Sequence, residues 1–375
     1  MNILVSANYY PEKIGGIELV TQNLIKHFRA GGHQVRWIAA DVADRKRTPQ
    51  KDDVPIPAWN FTESKLGFPY PIPDPFTLWS TREHVKWCDV VYLHDCLYLH
   101  NQFLSRTARK MGRPIVTTQH VGLVPYSQGY KKTLQQISYK TIGKRLLEGS
   151  DQVVFVSGVV KSWFDDFIKF RRPAQVIPNG VDTSIFHAFP IEEQQKVRSE
   201  LGIPLGSRVC IFVGRFTQKK GLHLIREVAG SIPDWSWILV GTVAEENPAA
   251  WGFPNVRVLP PTKQSELGRL YAAADLAVLP SVGEGFPLVV AESMASGTPI
   301  LVCSETSQAV PGLSDVVAIT EPVADDLKKS IDELMRNPEM LGSLKLQGQN
   351  FATRKLDWSA IAGEYLNIFS SVARS

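Results

Sequence analysis

Short runs rich in β-branched and aromatic residues alternate with longer helix-patterned segments from one end of this 375-residue chain to the other, and that alternation leaves few folds open. Parallel strands need a crossover between them, usually a helix, so the series predicts parallel sheets covered on both faces. The expected strands of the first half are NILVSA, QVRWIAA, DVVYLH, PIVTT, QVVFVS and AQVI. Between the first two lies IELVTQNLIKHFRAGG, with Ile17, Val20, Leu24 and Phe28 on one helical face and glycines at its stop. The series restarts after IPNGVDTSIF with RVCIFVG, WSWILVG, VRVLP, LAVLP and PILVC. The fold class expected is therefore α/β, with two Rossmann-like doubly wound domains and a hinge near residue 184. The chain length favours two domains as well.

One stretch breaks the pattern. Residues 41–75 hold Pro49, Pro55, Pro57, Pro69, Pro71, Pro73 and Pro75 with aromatics between, and read as a long irregular excursion. Charge is uneven too. Residues 1–185 carry 24 basic and 16 acidic side chains, net +8, and the remainder is net −4. The excess includes Arg45, Lys46 and Arg47. It also includes 131–145, where Lys131, Lys132, Lys140, Lys144 and Arg145 surround Leu134, Ile137, Ile142 and Leu146 as in a basic amphipathic helix. That helix either packs on its own domain or meets an anionic membrane or acceptor surface. No window has the ~18 uninterrupted apolar residues of a membrane span, and MNILVSANYY enters a strand directly without the basic and apolar regions of a secretory signal. The expectation is a cytoplasmic protein, peripheral on the inner membrane face if the basic helix binds lipid. Cys88, Cys96, Cys210 and Cys303 lack metal-type spacing and read as small core thiols.

Both halves open on a strand, a glycine-containing turn and a helix: ILVSANYYPEKIGGIELV and IFVGRFTQKKGLHLI. Neither holds a GxGxxG fingerprint or the Gly-Lys-Ser/Thr of a P-loop. Each still sets backbone N–H groups and a helix start at the carboxyl end of a strand, where phosphates bind, so a ligand lodged in a cleft between two such faces is the geometric expectation. Left-handed turns at Gly15-Gly16 or Gly221 would explain the same glycines structurally.

The most informative segment is PSVGEGFPLVVAESMASGTPILV. Glu284 lies in the loop before a helix and Glu292 eight positions on, about two turns in, so the two carboxylates can lie along one ligand. Gly285, Phe286, Pro287 and Leu288 cover the helix start, where free N–H groups can hold an anion. A carboxylate accepts two hydroxyl hydrogen bonds, which suits the vicinal diols of a hexose and a ribose. His120 ends PIVTT in TTQHVG, at a strand's carboxyl end. His94, Cys96 and His100 in LHDCLYLH lack a matching ligand cluster and are not expected to bind metal. No Asp-X-Asp for a metal-held diphosphate is present.

This glutamate pair resembles the Glu, seven residues, Glu signature of family 4 retaining glycosyltransferases with the GT-B fold. VGRFTQKKG resembles that family's strand and basic loop, IPNGVDTSIF its interdomain segment and SANYYPEKIGGIE its first glycine loop. DWSAIAGEYLNIF resembles the closing helix that crosses back onto the first domain. The matches keep the family's order over nearly the whole chain. The resemblance implies an acceptor-side domain over 1–184, a nucleotide-sugar domain over 185–354 and the returning helix in 355–375. It implies that Glu284 holds donor-sugar hydroxyls and Glu292 ribose hydroxyls, that Arg215 and Lys220, with Lys219 a neighbouring candidate, bind the diphosphate, and that His120 lies beside the reacting sugar. Gly15 and Gly16 would face the phosphate and the acceptor.

The activity implied is transfer of a sugar from a nucleotide-diphosphate donor to a hydroxyl on a glycan or lipid-linked acceptor, with retention, in surface polysaccharide or glycolipid synthesis. Protein cations would replace metal, no cofactor is implied, and nucleic acid is not an expected partner. A GT-B epimerase or phosphorylase, and a non-catalytic binder of sugar nucleotides or anionic lipid, are the competing readings.

Overall fold

The computed structural model describes residues 1–11, 15–42, 51–60, 70–123, 129–204 and 206–374. They form two compact units, the first of Met1–Pro178 with Trp358–Ser375, the second of Asn179–Asp357. The basic triplet 45–47 lies outside the described residues.

The first unit holds β1 (Asn2–Tyr9), β2 (Gln34–Asp41), β3 (Asp53–Trp59), β4 (Ile72–Pro73), β5 (Val90–His94), β6 (Ile115–Gln119), β7 (Gln152–Phe155) and β8 (Gln175–Val176). Among the described residues their order is β4-β3-β2-β1-β5-β6-β7-β8. Every pairing is parallel except that of β3 with β4. The order reverses at β1, so the carboxyl ends of β1 and β5 bound a topological switch point. Ile3, Leu4 and Val5 and all five residues of β5 are fully buried, as strands covered on both faces must be. Helix Gly16–Ala30 buries Val20, Leu24 and Phe28. The returning helix Trp358–Ala373 sets Phe369 5.4 Å from Phe28 and Tyr365 5.3 Å from Tyr92, ring to ring.

Two expectations need correction here. The proline-rich excursion contains β3, paired in register with β2 from Asp53 to Pro57. Pro55 and Pro57 are two apart, so their missing N–H groups share one side of the strand, and β4 meets β3 only at Ala58 and Trp59. An edge strand tolerates prolines turned outward, and they hid it from the sequence pattern. The basic stretch is helical, but a π turn over Tyr139–Gly143 separates helix Gly129–Ser138 from helix Lys144–Glu148. The wider turn shifts the helical phase. Leu134, Ile137 and Ile142 consequently stay 50%, 54% and 40% exposed, while Tyr139, Leu146 and Leu147 are buried.

The second unit carries β9 (Val209–Val213), β10 (Ser236–Val240), β11 (Val256–Leu259), β12 (Leu276–Leu279), β13 (Ile300–Cys303) and β14 (Ala318–Thr320). Their order is β11-β10-β9-β12-β13-β14, all parallel. Here the reversal falls between β9 and β12. The segment after Pro178 belongs to this unit: Asn179 Nδ2 donates to Phe286 O at 2.6 Å and Thr183 Oγ1 to Asp357 Oδ2 at 2.6 Å. Among the described residues no helix is long and apolar enough to cross a membrane.

Candidate active site

The switch point of the second unit is where its sequence-predicted residues meet. The loop after β9 carries Arg215, Lys219 and Lys220, and the loop after β12 carries Glu284. What joins the loops is Gly221. Its φ of 75° is left-handed, and a Cβ there would overlap the carbonyl oxygen and ring of Pro280. Only glycine permits both the turn and the approach. Val282 N donates to Lys219 O at 3.2 Å across the same seam.

The approach puts Lys220 Nζ 3.1 Å from Glu284 Oε2 and Lys219 Nζ 3.6 Å from Oε1. The Glu284 side chain is only 14% exposed. Burial pushes its carboxyl up, but Lys220 and Lys219 outweigh that and hold it below the ordinary glutamate value. Glu284 therefore stays ionised. Oε1 makes no hydrogen bond among the described residues, since 3.6 Å is beyond that reach, so a buried carboxylate oxygen remains to accept a hydroxyl. Lys219 has its proton affinity lowered by burial, with Lys220 and Arg215 adding to the effect against Glu284. Arg215 is exposed. Two lysines thus meet at Glu284, while Gln218 N donates to Glu245 Oε2 at 2.8 Å and Gly283 N to Glu305 Oε2 at 3.0 Å on the same loops.

Phe286 and Pro287 are buried, Pro287 caps the following helix, and Leu288 begins it. Because that helix is Leu288–Ala295, Glu292 sits one turn in rather than two. Gly285 lies between Glu284 and this cap. Glu292 is buried, accepts from Tyr271 Oη at 3.3 Å, and is pushed by burial to about 7.

In the first unit His120 follows β6 and His94 ends β5. His94 Nδ1 lies 2.8 Å from His120 Nε2, and the rings stack with centroids 5.1 Å apart. Burial lowers both, His120 to about 3, so a neutral pair shares one proton between facing nitrogens. Asp95 buttresses them. It has φ 62°, accepts from His120 N at 2.9 Å and from Tyr98 Oη at 3.3 Å, and its carbonyl is held by Asn101 Nδ2 at 2.8 Å. Sequence reasoning found His120 but missed His94 and Asp95 as its supports. The available signal was that neighbouring strands both end in histidine. His100 is engaged elsewhere, with Nε2 3.1 Å from Ala7 O, and Cys96 is a buried thiol pushed up by desolvation.

Gly15 is extended, at φ −141°, and caps helix Gly16–Ala30. No left-handed turn occurs at Gly15 or Gly16, and a Cβ on Gly16 would meet nothing within 4 Å. The chain's own packing does not require that glycine. Residues 12–14 of the same loop lie outside the described residues.

These features were compared with known proteins. Glycosyltransferase Family 4 matches residues 14–185, and Glycosyl transferases group 1 matches residues 193–351. D-inositol 3-phosphate glycosyltransferase of Thermobispora bispora is 29% identical over 316 residues, 75% of this chain and 70% of the relative. Sucrose-phosphate synthase from Thermosynechococcus elongatus superposes with TM-score 0.78 at 19% identity over 100% of both chains. Anabaena Alr3699/HepE in complex with UDP-glucose does so with TM-score 0.74 at 18% identity, over 99% of this chain and 100% of the other. Each half of the chain thus meets its own domain family, in order and on a shared fold: the chain belongs to the GT-B glycosyltransferases, with a Glycosyltransferase Family 4 first half and a group 1 second half.

Proposed function

We propose that the protein transfers a sugar, with retention of configuration, from a nucleotide-diphosphate donor to a hydroxyl acceptor. The observation that carries this reading is the pair Lys219 and Lys220 gathered on the buried, ionised Glu284, with Arg215 acting on Lys219. Preorganised cations match a diphosphate and stabilise the charge that develops on a departing one. Metal independence follows from the same cations. Glu284 takes sugar hydroxyls and Glu292 ribose hydroxyls. With a lowered proton affinity, Glu284 is a poor base, so the leaving phosphate takes the acceptor proton on the face it vacates. The solved UDP-glucose complex of Anabaena Alr3699/HepE supports a UDP-sugar as the first donor to try.

Thermal shifts with UDP-, GDP- and ADP-sugars should single out a stabilising donor, because a ligand of the folded state raises its stability. NMR of the product should then show the donor's anomeric configuration, with the rate unchanged by EDTA. An inverted product, or a reaction stopped by chelation, overturns the corresponding part of the proposal.

Glu292 gives the donor site a pH signature. Its carboxyl titrates at about 7, and only the ionised form accepts two ribose hydroxyls. Donor affinity is therefore expected to rise as pH climbs to about 7 and to level off above, with a proton released on binding below it. Glu292→Gln should flatten the curve, and Glu292→Ala should cost ~1.5–3 kcal/mol of binding. A wild-type affinity independent of pH would remove Glu292 from the donor site.

We further propose that the first unit rests on anionic membrane. Leu134, Ile137 and Ile142 lie exposed among Lys131, Lys132 and Lys140, with Lys144 tied to Phe167 O and Glu148 at the end of the stretch, and a lysine near such a surface is worth ~1 kcal/mol. Changing the four lysines to Gln should lower co-sedimentation with anionic vesicles at low salt without altering donor affinity. Equal sedimentation of both proteins would make this a solvated helix.

A further inference from the structure

We propose that the first unit carries a separate oxyanion site, at the opposite end of its sheet from His120, that holds a phosphate-bearing ligand. Helix Leu99–Lys110 ends before β6, helix Lys144–Glu148 ends before β7, and Arg171 precedes β8. These three ends gather at the amino ends of the strands. His120 follows the carboxyl end of β6, so one five-residue strand, roughly 17 Å, separates the two regions.

Arg109, Thr141, Lys144, Arg145, Glu148 and Arg171 line a depression of about 400 Å³ there. Four cations meet two carboxylates, Glu148 in the lining and Asp151 beside Arg171. Lys144 is committed, with Nζ donating to Phe167 O at 2.6 Å and standing 3.3 Å from Glu148 Oε1. Arg171 pairs with Asp151 at 2.9 Å. The guanidinium groups of Arg109 and Arg145 make no hydrogen bond or ion pair among the described residues. Burial, then Arg145, Arg171 and Arg106, hold the proton affinity of Arg109 below the ordinary arginine value against the opposing pull of Asp151. Gly149 allows this crowding: a Cβ there would come within 2.9 Å of the guanidinium carbon of Arg109. A helix's carboxyl end attracts a basic side chain, but neither guanidinium donates to a terminal carbonyl here.

The unspent donors define the ligand. Two guanidinium forks match the oxygens of a phosphate, which accepts bidentate bonds. No aromatic ring lines the depression to stack a base. Recognition is then of the phosphate itself, as a phosphomonoester or a diphosphate, free or in a lipid headgroup.

Inorganic pyrophosphate is the probe, titrated calorimetrically into the full-length chain at low salt. Arg215→Gln with Lys220→Gln serves as background, so that the donor site does not report. One binding event is expected there. Adding Arg109→Gln and Arg145→Gln should weaken it by at least about tenfold, and the exposed Arg145→Gln alone, which leaves the packing over Gly149 intact, should weaken it measurably. No binding in the background protein, or binding unchanged by the arginine substitutions in a folded variant, overturns the site. Phosphatidylglycerol vesicles decide the source of the phosphate. Displacement of the protein from them by pyrophosphate assigns the site to lipid, and pyrophosphate binding without displacement assigns it to a soluble ligand; both support the site.

Discussion

Lys220→Ala is expected to slow the proposed transfer by ~10²–10³, the largest effect of any single substitution in the second unit. Two losses combine. In the proposed reaction the departing diphosphate loses a cation held 3.1 Å from Glu284, and Glu284, buried to 14% exposure, loses its closer partner. Burial alone drives that carboxyl upward, so with Lys219 at 3.6 Å as its remaining lysine its ionisation near neutral pH weakens. The rate of Lys220→Ala should therefore recover partly as pH rises, whereas Lys220→Arg, which keeps the charge, should retain a steadier profile. Glu284→Gln keeps both lysines for the diphosphate and should lower turnover more than donor affinity. Steady-state kcat and KM across pH check the set. Equal activity of Lys220→Ala and wild type would detach this lysine from the reaction.

Acid should unfold the first unit early. His120 and His100 have folded values of about 3 and about 4 against an ordinary 6.5, and His94 is lowered well below 6.5; burial is the leading cause in each. A histidine whose folded value is depressed takes up its proton on unfolding at any pH between the two values. Its stabilising contribution is complete above 6.5 and lost as pH falls. At about pH 5 the loss is roughly 2 kcal/mol for each of His120 and His100. Asp95 in the first unit, raised by burial to about 6, and Glu292 in the second, raised to about 7, act oppositely, each costing stability as pH rises from its ordinary value, so Asp95 offsets part of the histidine loss. Urea unfolding between about pH 5 and 8 should show the first unit failing sooner on acidification, and His100→Gln should flatten that slope. Denaturation curves that superimpose from pH 5 to 7 would contradict the buried neutral histidines.

Much of the fold was legible because a parallel strand buried on both faces is written as an apolar run, and residues 3–5 of β1, residues 90–93 of β5 and the whole of β9 are such runs. The strand β3 was not, because its prolines obey an edge rule that appears only once its neighbours are known. In the basic stretch the spacing leaves open whether the apolar residues pack or face outward, and the structure divides them about a π turn: Leu134, Ile137 and Ile142 are exposed while Tyr139 and Leu146 are buried. In the donor half the glutamates and lysines stood out by type and order. That Lys219 joins Lys220 at Glu284 depended on a contact between two loops about sixty residues apart, beyond any local pattern. His94 and Asp95 escaped notice for the same reason: their partner at 120 lies on another strand.

The seam at Gly221 bears on how such a protein diversifies. With its α-carbon against Pro280, the basic loop and the glutamate loop behave as one part, and a side chain at 221 would separate them while also forcing a left-handed backbone. Gly16 stands in open space and carries no such burden. A library screened first for folded protein and then for product should lose every substitution at Gly221 in the first round and those at Gly16 only in the second. Lineages that adopt new sugars are then free to drift around the seam, at the rim of each sheet, but not through it.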